Sequence, residues 1–128
     1  MPTSAPKLGL FPTTYLAGAA IVRGRAVMRG ASVNYVIQAT ANAEALGIAE
    51  DHQATAERPL RVTDRPGETT FAEAGAAFAI DILLTSDADG RLVTATTTQK
   101  VHAIARQAAG ATGDLVAVEI APRGRLAP

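Results

Sequence analysis

VHAIARQAAGATGDLVAVEI, residues Val101–Ile120, organises the rest of the chain. It opens on a short apolar run (Val101, Ala103, Ile104, Ala105) and passes through a loop of small residues (Ala108–Gly113). After Asp114 it alternates through Leu115, Val116, Ala117, Val118, Glu119 and Ile120. Apolar character recurring every second residue marks a half-buried strand, and Gly113-Asp114 just before it marks a turn. The segment therefore reads strand, loop, strand.

The first half of the chain carries a weaker copy. GIAEDHQATAERPLRV (Gly47–Val62) has the length and pattern of AIARQAAGATGDLVAV (Ala103–Val118). Ile48 and Ala49 match Ile104 and Ala105, Leu60 stands where Val116 stands, and Val62 matches Val118. Upstream, Ala17-Gly18-Ala19-Ala20-Ile21 is echoed by Ala74-Gly75-Ala76-Ala77-Phe78. One gap aligns residues 17–62 with 74–118. Two copies are too few for a solenoid, so the expectation is a pseudo-symmetric barrel or sandwich built from two four-strand units. At one place the copies differ: Glu57-Arg58-Pro59 stands where the second has Gly113-Asp114, which predicts a different turn there.

A chain of 128 residues is expected to form one β domain, drawn here at 15–121 between an arm (1–14) and a short tail (122–128). Twelve basic and twelve acidic residues cancel, which argues against direct nucleic-acid binding. Without cysteine there is neither a disulfide framework nor thiolate chemistry. No apolar run is long enough for a membrane span and the N-terminus lacks the order of a signal peptide, so the reading is a soluble protein made in the cytoplasm with no membrane partner. Much of the hydrophobic content is alanine, with three Phe, two Tyr and no Trp. Large apolar side chains supply most burial energy, so this thin core points to a protomer supported by association.

Taken in order, MPTSAPKLGLFPTT reads as an extended arm, because its prolines remove backbone donors and its residues lack periodicity. It is either a disordered terminus or, because Leu8, Leu10 and Phe11 are too apolar for a pure spacer, an arm that orders along a partner by strand addition or groove docking. Ala17–Arg29 reads as a first strand bent near Gly24, with Arg23, Arg25 and Arg29 on one edge, as a solvated strand face or, less commonly, a binding patch. Strands are further expected at 33–39, 47–50, 59–63, 77–85 and 91–97, with Asp64–Glu68 as the seam between halves. Thr70-Phe71-Ala72-Glu73 fits a capping box and predicts one short helical turn. Ser86–Gly90 reads as a hairpin turn. The fold class is thus all-β, about eight strands, with at most one short helix.

Catalytic chemistry finds little support. Asp87-Ala88-Asp89-Gly90 starts like a calcium loop, but Leu92 and Thr98 fall where glycine and a bidentate acid are needed. His52 and His102 lack the further ligands of a zinc site, so no metal is expected. Ser4, Ser32 and Ser86 lie outside any nucleophile-elbow context, and no glycine loop opens a helix to hold phosphate. The expectation is no enzyme and no cofactor.

These segments together, namely Ala17–Ile21, Leu46-Gly47-Ile48-Ala49, LTSDADGRLV (Leu84–Val93) and Ile104-Ala105 followed by Gly113–Val118, resemble small proteins of tailed-bacteriophage head gene clusters: capsid decoration, or cement, proteins. The resemblance covers residues 17–120. It implies a β-rich barrel on the outer surface of the virion's expanded capsid, commonly a homotrimer at local three-fold positions, bridging major capsid subunits against internal DNA pressure. Under it the capsid-binding residues are Leu8, Leu10 and Phe11 of the arm, then Arg23 and Arg25. The alternative is a head fibre or host-attachment module that binds cell-surface glycans, which the shortage of Trp and Tyr disfavours.

Overall fold

Ten strands follow one another in the computed structural model, which describes residues 13–53 and 55–128: β1 (Thr13–Ala17), β2 (Ala26–Arg29), β3 (Tyr35–Gln38), β4 (Ala45–Ala49), β5 (Pro59–Thr63), β6 (Thr69–Glu73), β7 (Leu83–Ser86), β8 (Leu92–Thr94), β9 (Ala103–Ala105) and β10 (Leu115–Ile120). β1 to β5 close into a barrel in the order β1-β3-β2-β4-β5, and the rest form a five-stranded sheet, β6-β10-β9-β7-β8. The protein is all-β.

The repeat is written into the pairing. β1·β5, β4·β5, β2·β4 and β2·β3 are antiparallel, and so are their counterparts β6·β10, β9·β10, β7·β9 and β7·β8. The isolated bridge Ile21↔Gln53 recurs as Phe78↔Ala109. All ten described residues with positive φ fall into equivalent pairs: Gly24 with Asp81, Asn34 with Gly90, Asn42 with Thr98, Glu57 with Gly113, and Gly67 with Gly124. Each copy is therefore a five-strand unit, one strand more than the alternation suggested.

The two units differ in closure. In the first, β1 meets β3 in parallel, and Leu16 and Gly18 N–H donate to Asn34 and Val36 carbonyls. In the second, only Gly75 N–H to Leu92 O survives, at the Ala74↔Leu92 bridge. The groups equivalent to Leu16 N–H and Asn34 O are turned to the first unit instead: Glu73 N–H donates to Gly24 O (2.7 Å), and Gly90 O accepts from Ala26 N–H (2.7 Å). The sheet stays open because its closing hydrogen bonds are used to join the units.

β2 and β4 lie between two cores. Val27 and Ala49 face the barrel interior with Ile21, Val36, Leu60 and Val62, while Ala26 and Ile48 pack with Leu84, Leu92, Val116 and Val118 of the second unit. Both faces being buried explains why these strands lack clean alternation. β10, with one buried face, keeps it: Val116, Val118 and Ile120 are inside and Leu115 is exposed.

Four local expectations are corrected. Thr69–Glu73 is strand β6, and no helix occurs among the described residues, because the register from Leu115↔Glu73 to Glu119↔Thr69 outweighs a capping-box signal. The stretch 17–29 is broken by a turn at Gly24 (φ 87), separating β1 from β2. Most of 77–85 is irregular: Asp81 takes φ 67, Ile80 is 56 % exposed, and β7 begins only at Leu83. The turn at Glu57 is the same as that at Gly113. Glu57 holds φ 67 and its N–H donates to Ala17 O, as Gly113 N–H donates to Ala74 O. In addition, Thr13 and Thr14, read as arm, pair with Val62 and Arg61.

A left-handed glutamate is strained by roughly 1–2 kcal/mol, part of which glycine returns through its greater unfolded-state freedom. Glu57→Gly is expected to raise stability by about 0.5–1 kcal/mol in urea unfolding. A second gain is expected at Thr85, 1 % exposed, whose Oγ1 has no partner among the described residues. Thr85→Val keeps the shape and strand preference while removing the orphan hydroxyl, and should add about 1 kcal/mol by the same measurement.

Candidate functional site

The join between the units concentrates the polar contacts. Gly24 allows the chain to reverse against the end of β6; a Cβ there would lie 2.9 Å from Leu115 Cδ2 and 3.2 Å from Glu73 N. This brings Arg25 beside Glu73. Arg25 Nε donates to Glu73 Oε1 (3.1 Å), and Arg91 Nε, from the β7–β8 hairpin, donates to Oε2 (2.7 Å). Burial pushes the Glu73 carboxyl up, but the hydrogen bonds from Arg91 and Arg25 outweigh it, and the net shift is below its ordinary 4.5. The hairpin itself is an Asx turn in which Asp87 Oδ1 accepts from Asp89 and Arg91 N–H (2.9 and 3.0 Å), a plain turn as the sequence indicated.

On another side of the join is a cleft of about 270 Å³. Equivalent positions of the two units line it: Glu44 with Lys100, Leu46 with His102, and Asp64 with Ile120. Arg123 reaches it from the tail. Asp64 accepts from Tyr15 OH (3.1 Å), whose phenol pKa is raised by burial and by the Asp64 charge. His102 Nε2 lies 3.2 Å from Ser86 Oγ, and that hydroxyl donates its one hydrogen to Thr40 O (2.7 Å). His102 must then be the donor, through Nε2–H. Burial, with Lys100 adding to it, pushes the His102 pKa down to about 4, so the ring is neutral at pH 7.

Of the residues singled out by sequence, Leu8, Leu10 and Phe11 lie outside the described residues. Arg23 is exposed on the turn at Gly24, and Arg29 is exposed at the end of β2. Arg25 is half-buried in the ion pair with Glu73. His52 is exposed, His102 is partly buried, and no group of metal-ligating side chains occurs among the described residues. Ser86 is 2 % exposed with its hydroxyl engaged. Sequence reading missed Glu73 as the centre of the join; the only local sign was its place at the end of the misread capping box.

A family model described as phage cement protein matches residues 7–120. The chain belongs to the phage cement protein family. Among solved structures, the cement protein is similar to the gp8.5 N base of the head fibre of bacteriophage phi29, with a TM-score of 0.69 and 21 % identity over 85 % of this chain and 92 % of that one. No curated protein matches it in sequence. Family membership makes this a structural, capsid-associated protein of the phage head.

Proposed function

We propose that this cement protein decorates the outer surface of the expanded capsid as a homotrimer at local three-fold positions, bridging neighbouring major capsid subunits against the pressure of packaged DNA. The observation that carries the reading is the family match, which begins within the arm at residue 7 and runs through β10. Near-neutral charge and an alanine-rich core agree with a protein that works by association. Leu8, Leu10 and Phe11 of the arm make the capsid contact, with Arg23 on its exposed turn as a further contact; Arg25 contributes by fixing that turn through Glu73. The role needs no catalytic step, cofactor or metal.

Co-sedimentation with expanded heads lacking cement protein tests this. The full chain is expected to bind saturably, and a chain starting at Thr13, which keeps every residue of β1, is expected not to bind. Equal binding by both would remove the arm from the interface, and no binding to heads by either would sink the capsid role. A second reading, the base of a head fibre or a host-attachment module for cell-surface glycans, draws on the likeness to the gp8.5 N base. It is favoured instead if the protein binds host cells in a manner competed by soluble glycan.

A further inference from the structure

The Thr40–Asn42 loop of the first unit is held by the second through three hydrogen bonds. Ser86 Oγ donates to Thr40 O (2.7 Å), Asn42 N–H donates to Ser86 O (3.1 Å), and Lys100 N–H donates to Asn42 Oδ1 (2.7 Å). Asn42 takes φ 52, which turns its side chain amide and main chain to the same neighbour. Behind Ser86 stands His102, whose Nε2–H supports the Ser86 hydroxyl and whose backbone is fixed on both sides, N–H to Leu84 O and carbonyl to Ala121 N–H. We propose that this loop is a pH-operated clasp between the two units, closed while His102 is neutral and released when His102 takes up a proton.

A second proton goes to Nδ1, which has no hydrogen-bond partner among the described residues. The new cation then sits in the cleft with Lys100 from its own strand approach, Arg123 from the tail, Glu44 before β4 and Asp64 after β5. Lys100 is the neighbour that also holds Asn42, through N–H and through Nζ to the Asn42 carbonyl (3.5 Å). Asp64 is already engaged by Tyr15. Relief comes when the ring swings toward water, which withdraws support from Ser86 and displaces Lys100 together. A histidine whose pKa is lowered from 6.5 to about 4 by burial favours the open form on acidification. The clasp is therefore fully closed above pH 6.5 and weakens as the pH falls toward 4.

Amide hydrogen exchange followed by NMR tests the clasp on the whole chain, independently of capsid binding. Corrected for intrinsic exchange, protection of the Asn42 and Lys100 amides is expected to fall about tenfold for each pH unit between 6.5 and about 4, one proton being taken up per opening. Amides bonded within the first unit and away from the clasp, such as Ile21 N–H to Gln53 O, should hold their protection. In His102→Gln the pH dependence at Asn42 and Lys100 disappears, and in Ser86→Ala both amides are already weakly protected at pH 7. Should His102→Gln fail to fold, the wild-type titration decides alone. Unchanged protection at both amides from pH 6.5 to 4, or the same loss in His102→Gln, overturns the proposal.

Discussion

Gly47→Ala is expected to lose about 3–5 kcal/mol of stability, enough to prevent a marginal domain of this size from folding. The cause is space. A Cβ at Gly47 would overlap Thr63 O and lie 2.8 Å from Val62 Cγ1 and 2.9 Å from Asp64 Cα. Two of these are backbone atoms, so no side chain can rotate away. Relief requires β4 to leave β5, breaking the Ile48↔Thr63 and Ala49↔Val62 pairs that close the barrel. Gly67 provides the comparison: its φ of 88 is left-handed, but nothing lies within 4 Å of its missing Cβ. Gly67→Ala therefore carries only conformational strain, about 1 kcal/mol. Urea unfolding of both variants separates the two causes, and a Gly47→Ala loss no larger than that of Gly67→Ala would refute the packing argument. The equivalent of Gly47 in the second unit is Ala103, fully buried, so the second sheet accommodates the methyl that the closed barrel cannot.

Glu73→Gln is the next largest, an expected loss of about 2–3 kcal/mol, below the range for a fully buried pair because the three side chains keep some exposure. The side chains of Arg25, Arg91 and Glu73 are 15, 28 and 13 % exposed. Glutamine keeps the shape but removes the charge that both guanidinium groups face. The pH dependence follows from the sign of the shift. Because the folded pKa of Glu73 lies below 4.5, its contribution is present above pH 4.5 and is lost as the pH falls through the folded value. His102 acts in a higher window, between 6.5 and about 4. Wild type should therefore lose stability in two stages on acidification, and Glu73→Gln should weaken the lower one, to which Asp51, held below its ordinary value by the hydrogen bond from Arg61, also contributes. A Glu73→Gln protein as stable as wild type at pH 7, or with an unaltered acid limb, would show that the ion pairs contribute nothing net.

The elements that were legible in the sequence are those with one buried face or an obvious turn. β10 alternates because one side packs on Val118's neighbours and the other meets water, and β5 was read at its observed bounds. The repeat was legible because Gly18 and Gly75, Ile48 and Ile104, and Val62 and Val118 occupy the same places in the two units. Where the reading failed, a local signal met a long-range partner. The capping box at Thr70–Glu73 lost to pairing with β10, some 45 residues later in the chain. A glutamate at position 57 argues against the turn that Gly113 makes, yet the bond to Ala17 O holds it in the same left-handed conformation.

The all-β class, the two-copy plan and the family resemblance are legible in the residues alone, because period-two alternation, turn residues and matched segments are properties of short stretches. That one copy closes and the other opens, and that Glu73 and His102 sit at the join, comes from long-range pairing. Any of twelve acids could have met any of twelve bases. That Glu73 meets Arg25 goes with two backbone hydrogen bonds between the units, Glu73 N–H to Gly24 O and Ala26 N–H to Gly90 O, made by groups whose equivalents in the first unit, Leu16 N–H and Asn34 O, pair with each other. Main-chain donors and acceptors are identical at nearly every residue, so that choice leaves no mark in the order of side chains.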